Sequence, residues 1–231
     1  MMINILAIDT STEACSVALM FNQQLSQRFT LSQRDHTKQV LPMIDDLLKQ
    51  AGCTLSQIDA IAFAKGPGSF TGVRIGIGIA QGIAFGINKP LVGVSTLATL
   101  AQGANRMSGA EQVITAIDAR MGEVYLGAYQ CLGNGELSPM INECVIQPDQ
   151  VAGYLANLSL SAPAVYYAGT GWQTYPQMLL GIQDGKIALP RAEDMLLIAQ
   201  KQFEQGHIVS AQNVEATYLR NDVTWKKLPG R

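Results

Sequence analysis

A turn made of Asp9, Thr10 and Ser11 follows the first apolar run of the chain and groups a carboxylate with two hydroxyls. Where such a turn faces a cleft, its backbone N–H groups and hydroxyls can hold the phosphates of a nucleotide. The same residue types also form an Asx or Ser/Thr turn that closes a hairpin. The turn lacks the glycine that usually lets backbone approach a phosphate, so both interpretations stay open.

Two glycine turns come later in the chain. The stretch Gly66–Gly72 reads GPGSFTG and fails the P-loop pattern, because no Lys-Ser or Lys-Thr pair follows its glycines. It predicts a turn into a helix that Ser69 or Thr71 caps. The second turn follows a later strand and either approaches an adenosine or is an ordinary turn; it consists of Gly169, Thr170 and Gly171.

Little in the sequence supports metal or nucleophilic chemistry. The chain has two histidines, and its four cysteines are scattered without a CxxC pair, which argues against zinc and thioredoxin-type sites. His36 is either a base or ligand, or a polar residue at the start of a helix. No GxSxG, HExxH, P-loop or EF-hand motif is present, so we predict no catalytic residues and no metal site.

A predicted helix over 71–86 carries five glycines, most of them spaced by four residues. Each costs a helix interior about 1 kcal/mol relative to alanine, which indicates close approach by a neighbouring backbone. That neighbour is either the protein's own sheet or a helix of another chain. The natural companion is the helix predicted over 35–51, where apolar residues share one stripe: Val40, Ile44 and Leu47.

The elements that position these residues occur twice. Strands are predicted over 3–9, 14–20 and 24–30, followed by a helix, a strand over 59–64 and the glycine-rich helix. The sequence AID at the first strand returns 109 residues later in the strand over 113–118. Two βββαβα halves, residues 1–107 and 108–231, indicate a duplicated α/β fold.

The composition favours a protein that works with partners. Only 15% of the residues are charged while 48% are hydrophobic, so we expect another subunit to cover one face. A net charge of -2 argues against nucleic-acid binding by the chain alone. The N-terminus lacks a basic region, and the apolar stretch over 73–87 is shorter than the ~20 residues of a membrane span. We therefore expect a cytoplasmic protein that does not enter a membrane.

Several segments together resemble the TsaB (YeaZ) family, and the most specific reads KGPGSFTGVRIGIGIAQGIAFG at 65–86. The resemblance extends over nearly the whole chain, and the other matching segments are 5–19, 34–48, 93–101, 116–125 and 218–230. It implies the actin/sugar-kinase/Hsp70-like (ASKHA) fold, which agrees with the repeat. It also implies a role in placing threonylcarbamoyl on the adenosine next to the anticodon in tRNAs that read codons beginning with A.

Within that machinery the chain is also similar to the catalytic TsaD family, which has a His-x-x-x-His metal pair. Thr96 and Leu100 stand at those two positions here, and neither replaces an imidazole as a metal ligand. The resemblance therefore implies a non-catalytic scaffold that partners TsaD and engages the TsaE ATPase. It implies a homodimer when TsaD is absent and only indirect contact with tRNA. No cofactor is expected for the isolated chain, with ATP or ADP expected only in the assembled complex.

The resemblance places the partner contact on the first two helices, 35–50 and 72–87, which the glycine argument also selects. The residues predicted to form this interface are His36, Val40, Ile44, Leu47, Arg74, Gly78 and Gly82. Two alternatives remain, the first drawn from the residues and the second only from the former description of the TsaD family as a glycoprotease. One is an ATP-dependent phosphotransferase of the same fold, with nucleotide between Asp9–Thr12 and Gly169–Gly171. The other is a metallopeptidase, which metal analysis would test.

Overall fold

The computed structural model describes residues 3–31, 35–160, 165–178 and 181–220. Expectations that fall on residues 34, 164 and 221–231 lie outside these ranges. The elements of the first half, in chain order, are β1 (Ile5–Asp9), β2 (Ala14–Phe21), β3 (Gln24–Leu31), α1 (His36–Ala51), β4 (Ala60–Gly66), α2 (Phe70–Ile87), β5 (Leu91–Ser95) and α3 (Thr96–Ser108).

The second half repeats this series with shorter helices. Its elements are β6 (Gln112–Arg120), β7 (Glu123–Gly133), β8 (Glu136–Pro139), β9 (Cys144–Ile146), α4 (Val151–Leu155), β10 (Val165–Ala168), α5 (Gly171–Thr174), β11 (Gln183–Asp184) and α6 (Ala192–Glu204). The helix expected after the second glycine turn is thus a single turn, α5.

Each half builds one mixed sheet with the same strand order. The first sheet runs β3-β2-β1-β4-β5 and the second runs β8-β7-β6-β10-β11, with β9 also paired to β7. In both sheets the first three strands are antiparallel and the last two join in parallel. Hairpin connections allow the antiparallel pairs, whereas each parallel pair needs a crossover.

Each half contains one strand and one helix more than the predicted βββαβα repeat. Each half has the order βββαβαβα, with β9 added in the second, because β5 and α3 belong to the first unit and β11 and α6 to the second. The mixed α/β class is confirmed, and the division at residues 107 and 108 stays a prediction. All five residues of β1 are buried, whereas β3 at the sheet edge is mostly partly exposed, as its polar sequence predicts.

Three apolar clusters lie between the sheets and the helices. One lies between the first sheet and α1 with α2, and one lies between the second sheet and α4 with α5. The third fills the space between the two sheets and contains α3 and α6. Arg106 of α3 joins these two helices through Asp194 of α6, with Nε 2.6 Å from Oδ1. The central core therefore draws on both halves.

Helix α2 is long and apolar enough to cross a membrane by length and composition, with a mean hydropathy of 1.4 and 28% of it buried. One side of it packs on the first sheet through Val73, Ala80 and Ala84. Its isoleucines at 77, 79, 83 and 87 are partly buried against the same core, and the exposed side of α2 carries Phe70, Phe85 and three glycines.

Closed strand-end turns and an open helix face

The Asp9–Thr12 turn is buried, and several of its polar groups form hydrogen bonds within the chain. Oδ1 of Asp9 accepts hydrogen bonds from the backbone N (2.8 Å) and the hydroxyl (2.7 Å) of Ser11. The hydroxyl of Thr10 donates to the carbonyl oxygen of Gly72 at 2.7 Å, and the backbone N of Ser69 donates to the carbonyl oxygen of Ser11 at 2.7 Å. The Thr10 hydroxyl and the Ser11 carbonyl therefore hold the first glycine turn, while the Ser11 N–H and hydroxyl bond within their own turn.

The glycines of that turn are required by close packing against the same residues. A Cβ on Gly68 would overlap the carbonyl oxygen of Ser11, and one on Gly72 would overlap that of Thr10. Ser69 caps α2, because its hydroxyl accepts from the backbone N of Gly72 at 3.2 Å. The expectation of a structural turn into a capped helix is confirmed, with Ser69 rather than Thr71 as the cap.

Asp9 sits in surroundings that disfavour its charge. Burial raises the pKa of its carboxyl above the ordinary value of 3.8, and the two hydrogen bonds from Ser11 offset part of that rise. Its Oδ2 atom is buried and has no hydrogen-bond partner among the described residues. Asp9 therefore fixes the turn through its Oδ1 atom, which accepts both hydrogen bonds from Ser11.

The second glycine turn repeats the arrangement. A Cβ on Gly169, whose φ is +103°, would overlap the carbonyl oxygen of Ala116, and one on Gly171 would lie 2.9 Å from the carbonyl carbon of the same residue. The hydroxyl of Thr170 accepts from the backbone N of Asp118 at 3.4 Å. Each turn is thus bonded within its own half. A cavity of about 180 Å³ beside the second turn includes only Gly169 of the six residues predicted to bind nucleotide.

The apolar stripe of α1 belongs to the chain's own core. Val40, Ile44 and Leu47 are 0%, 3% and 0% exposed and pack against the first sheet. The prediction that these side chains face a partner is corrected here, because an apolar stripe on a helix covers the nearest sheet first. His36 is also buried, and burial lowers the pKa of its imidazole below 6.5. The exposed surface of α1 is made of other, mostly polar residues.

The glycines of α2 divide between the two alternatives that the sequence left open. Gly72 and Gly76 face inward, and a Cβ on Gly76 would lie 2.7 Å from the Thr10 hydroxyl oxygen. A Cβ on Gly78, Gly82 or Gly86 would meet no described atom within 4 Å. Packing on the protein's own sheet therefore accounts for the first group only.

The open glycines continue a line of exposed residues that begins at the start of α2. We call this line the glycine face of α2; it consists of Phe70, Arg74, Gly78, Gly82 and Gly86. The guanidinium carbon of Arg74 lies 3.3 Å from the centre of the Phe70 ring and 5.0 Å from that of Tyr218. Phe85 lies beside this line and is 70% exposed. Phe70 was missed from the sequence, although its four-residue spacing from Arg74 was the available signal.

Thr96 and Leu100 lie at the start of α3 and are fully buried. Leu100 belongs to the core between the sheets, and the Thr96 hydroxyl has no hydrogen-bond partner among the residues that the structure describes. Within those same ranges, no three His, Cys, Asp or Glu side chains come together as a metal-binding group.

Fold and site together define a mixed α/β protein with two sheets of the same strand order, whose helix α2 presents an open glycine face. A family model described as TsaD: tRNA N6-adenosine threonylcarbamoyltransferase matches residues 24–224. The chain is 51% identical to the tRNA threonylcarbamoyladenosine biosynthesis protein TsaB of Escherichia coli K12, over 98% of this chain and 99% of that protein. It is 46% identical to the TsaB protein of Haemophilus influenzae Rd, over 99% and 98% respectively.

Among solved structures, YeaZ from Pseudomonas aeruginosa superposes with a TM-score of 0.86 at 45% sequence identity, over 94% of this chain and 100% of that chain. The chain belongs to the family that the matching model describes and, within it, to the TsaB (YeaZ) family. The resemblance drawn from the sequence is confirmed.

Proposed function

We propose that this chain is a non-catalytic subunit that binds the catalytic TsaD protein through the glycine face of α2 and the adjoining surface of α1. In that complex it supports the transfer of threonylcarbamoyl to the adenosine next to the anticodon of tRNA. Its relatives are named for the biosynthesis of this modified nucleoside, and a TsaD model matches most of the chain.

The observation that carries the proposal is the open environment of Gly78, Gly82 and Gly86. A glycine inside a helix costs about 1 kcal/mol relative to alanine, and within the described chain these three avoid no clash in return. Close approach by a helix from another chain gives the missing reason, because small residues let two helix backbones approach closely. The exposed rings of Phe70 and Phe85 supply apolar area beside the contact.

Two further features support a scaffold rather than an enzyme. The positions of the TsaD metal pair hold Thr96 and Leu100, and the leucine packs into the core. In the Asp9–Thr12 turn, the Thr10 hydroxyl bonds Gly72 and the Ser11 carbonyl bonds Ser69. A nucleotide that used these groups would have to displace these hydrogen bonds. No specific geometry favours the alternative of a phosphotransferase over the scaffold.

The test replaces Gly82 with leucine and measures binding to purified TsaD. Gly153 offers a matched control, because it is also an open helical glycine, in α4 of the second half, and a Cβ there would meet no described atom within 4 Å. Gly82→Leu should weaken the complex roughly tenfold or more, the size of an overpacking penalty. Gly153→Leu should leave it unchanged. Equal affinities for both variants in calorimetry or size-exclusion chromatography would show that the glycine face is not the TsaD contact.

The same surface is proposed to form the homodimer in the absence of TsaD, so the Gly78→Leu variant should shift the isolated chain toward monomer in light scattering.

Contact with the TsaE ATPase, and ATP or ADP in the assembled complex, are part of the proposal and are tested by reconstituting tRNA modification with each component left out. The proposed location is the cytoplasm. The ASKHA assignment of the two halves is supported by their shared strand order.

A further inference from the structure

Arg74 is the charged residue of the glycine face of α2, and its guanidinium group lies against two aromatic rings. The guanidinium carbon is 3.3 Å from the centre of the Phe70 ring and 5.0 Å from that of Tyr218. The two ring centres are themselves 6.1 Å apart. A guanidinium group that already rests on aromatic rings loses less side-chain freedom when it binds. Arg74 is therefore held in position before a partner arrives.

The second of these rings belongs to a segment that follows α6. We call residues 206–220 the strap. Directly before the ring, the backbone N of Thr217 donates to the carbonyl oxygen of Lys65 in β4 at 2.7 Å. Two residues after the ring, Arg220 forms an ion pair with Glu123 of β7. The strap is thus bonded to both sheets on either side of the ring, which fixes the ring beside α2.

Arg74 has no counter-charge among the residues that the structure describes. Its Nη1 atom donates to the carbonyl oxygen of Phe70 at 3.3 Å, within the same helix. The other arginines in the described ranges all form ion pairs: Arg28, Arg106, Arg120, Arg191 and Arg220. A guanidinium group has five N–H donors, and Arg74 is exposed. It therefore presents unused donors on the surface that the open glycines share.

The position of Arg74 along α2 suits a long side chain. Arg74, Gly78 and Gly82 are spaced by four residues and share one face of the helix. Gly82 is about 12 Å further along the axis than Arg74. Two helices that cross near the glycines, with axes about 8 Å apart, diverge toward their ends. A contact at Arg74 must therefore span a wider gap than one at the glycines.

We propose that Arg74 forms a two-hydrogen-bond ion pair with an aspartate or glutamate of the TsaD helix that packs on the glycine face, and that Tyr218 positions the guanidinium group for it. The inference rests on the proposed function, because it names the chemical group that the same surface recognises. The planar guanidinium and carboxylate groups match in this geometry, and such charge-assisted hydrogen bonds are stronger than neutral ones.

A carboxylate on a helix fits the surface better than a phosphate of RNA. The open glycines beside Arg74 admit a helix backbone. RNA and DNA sites instead gather several basic residues on one surface, whereas the chain has a net charge of -2 and the other described arginines are already paired with carboxylates.

The experiment measures the Kd of the full chain for purified TsaD by calorimetry at several NaCl concentrations. Arg74→Met removes the charge and keeps an apolar stem, so it should weaken the complex at least tenfold at low salt and reduce the dependence of Kd on salt. Arg74→Lys keeps the charge without the planar fork, so its affinity should be intermediate and its salt dependence retained. Lys186→Met is the control, because Lys186 is an exposed lysine beside β11 of the second sheet; it should bind as the unmodified chain does.

A double-mutant cycle tests the positioning role of Tyr218. Tyr218→Leu should weaken the complex about threefold in the unmodified chain, the size of an exposed cation–π contact. It should have no further effect when Arg74 is already methionine. Equal losses in both backgrounds would mean that Tyr218 contacts the partner directly, which contradicts the positioning role. Circular dichroism of each variant shows whether it is folded.

The outcomes separate this inference from the proposed function. If Gly82→Leu weakens the complex while Arg74→Met matches the unmodified chain at every salt concentration, the ion pair is refuted and the TsaD contact stands. If both variants bind normally, both proposals fail.

Two further measurements test other counter-charges for Arg74. Asp222 follows the strap in the sequence and lies outside the described residues. Asp222→Asn should leave the Kd for TsaD and its salt dependence unchanged, and a change in either would place the counter-charge within the chain and overturn the proposal. Binding of tRNA by the isolated chain that is lost in Arg74→Met would assign Arg74 to a phosphate and overturn it as well.

Discussion

Alanine substitutions along α2 should stabilise the chain at some glycines and destabilise it at others. At Gly82 the new methyl group would meet no described atom within 4 Å. The substitution then only reduces the conformational freedom of the unfolded chain, a gain of about 1 kcal/mol in the free energy of unfolding. For a chain of this length that gain corresponds to a rise of about 2–4 °C in melting temperature.

At Gly72 the sign reverses. The new Cβ would overlap the Thr10 carbonyl oxygen, which is a backbone atom held in the buried turn, so the helix or the turn must move. Overpacking of this kind costs about 1–3 kcal/mol, and movement also threatens the hydrogen bond from the Thr10 hydroxyl to Gly72. After the gain of about 1 kcal/mol in helix propensity, the net loss at Gly72 should be about 1 kcal/mol.

Urea unfolding followed by far-UV circular dichroism measures both variants against the unmodified chain, at concentrations where light scattering shows monomer, and differential scanning fluorimetry gives the melting temperatures. The reasoning is refuted if Gly82→Ala lowers stability, or if Gly72→Ala raises it. Binding to TsaD adds a second readout. If the open glycines exist for a partner helix, Gly82→Ala should stabilise the isolated chain and weaken the complex, whereas a tighter complex would remove that reason for the glycine.

Two further substitutions test the core and the turn. Arg106→Met leaves the buried carboxylate of Asp194 without its partner and should lower the free energy of unfolding by about 3 kcal/mol, measured by urea titration; an unchanged midpoint would mean that the bridge between α3 and α6 does not stabilise the fold. Asp9→Asn should raise the melting temperature near neutral pH, because the raised pKa of Asp9 means that its charged form destabilises the folded chain. This gain should shrink as the pH falls toward 3.8, where the unfolded chain also takes up the proton, and a gain that persists there would contradict the assigned cause.

The sequence predicts most elements because their patterns are local. The buried run at β1, the polar edge strand β3 and the left-handed Gly52 that ends α1 all follow from residue types within a few positions. Local patterns do not predict whether an apolar stripe packs against its own chain or against another one. Val40, Ile44 and Leu47 indicate burial, but periodicity carries no information on whether the covering surface is the same chain or another.

Contacts between segments that are far apart in the chain could not be predicted from the sequence. Glu143 accepts a hydrogen bond from Ser95, which lies 48 positions away in the sequence. Arg106 donates one to Asp194, which lies 88 positions away. No pattern within either segment indicates its partner. Such contacts join segments that are far apart in the chain, so motifs within one segment do not predict them.

Both glycine turns are places where two segments of backbone approach closely. The sequence predicts the first as a turn into a helix, and for the second it leaves open an approach to an adenosine or an ordinary turn. The approaching groups are the chain's own carbonyl oxygens, at Thr10 and Ser11 in the first half and at Ala116 in the second. Because a turn glycine approaches a backbone carbonyl in both halves, this close approach follows from the strand order that the two halves share. These contacts explain the glycines of both turns within the chain, whereas the open glycines of α2 have no such explanation among the described residues.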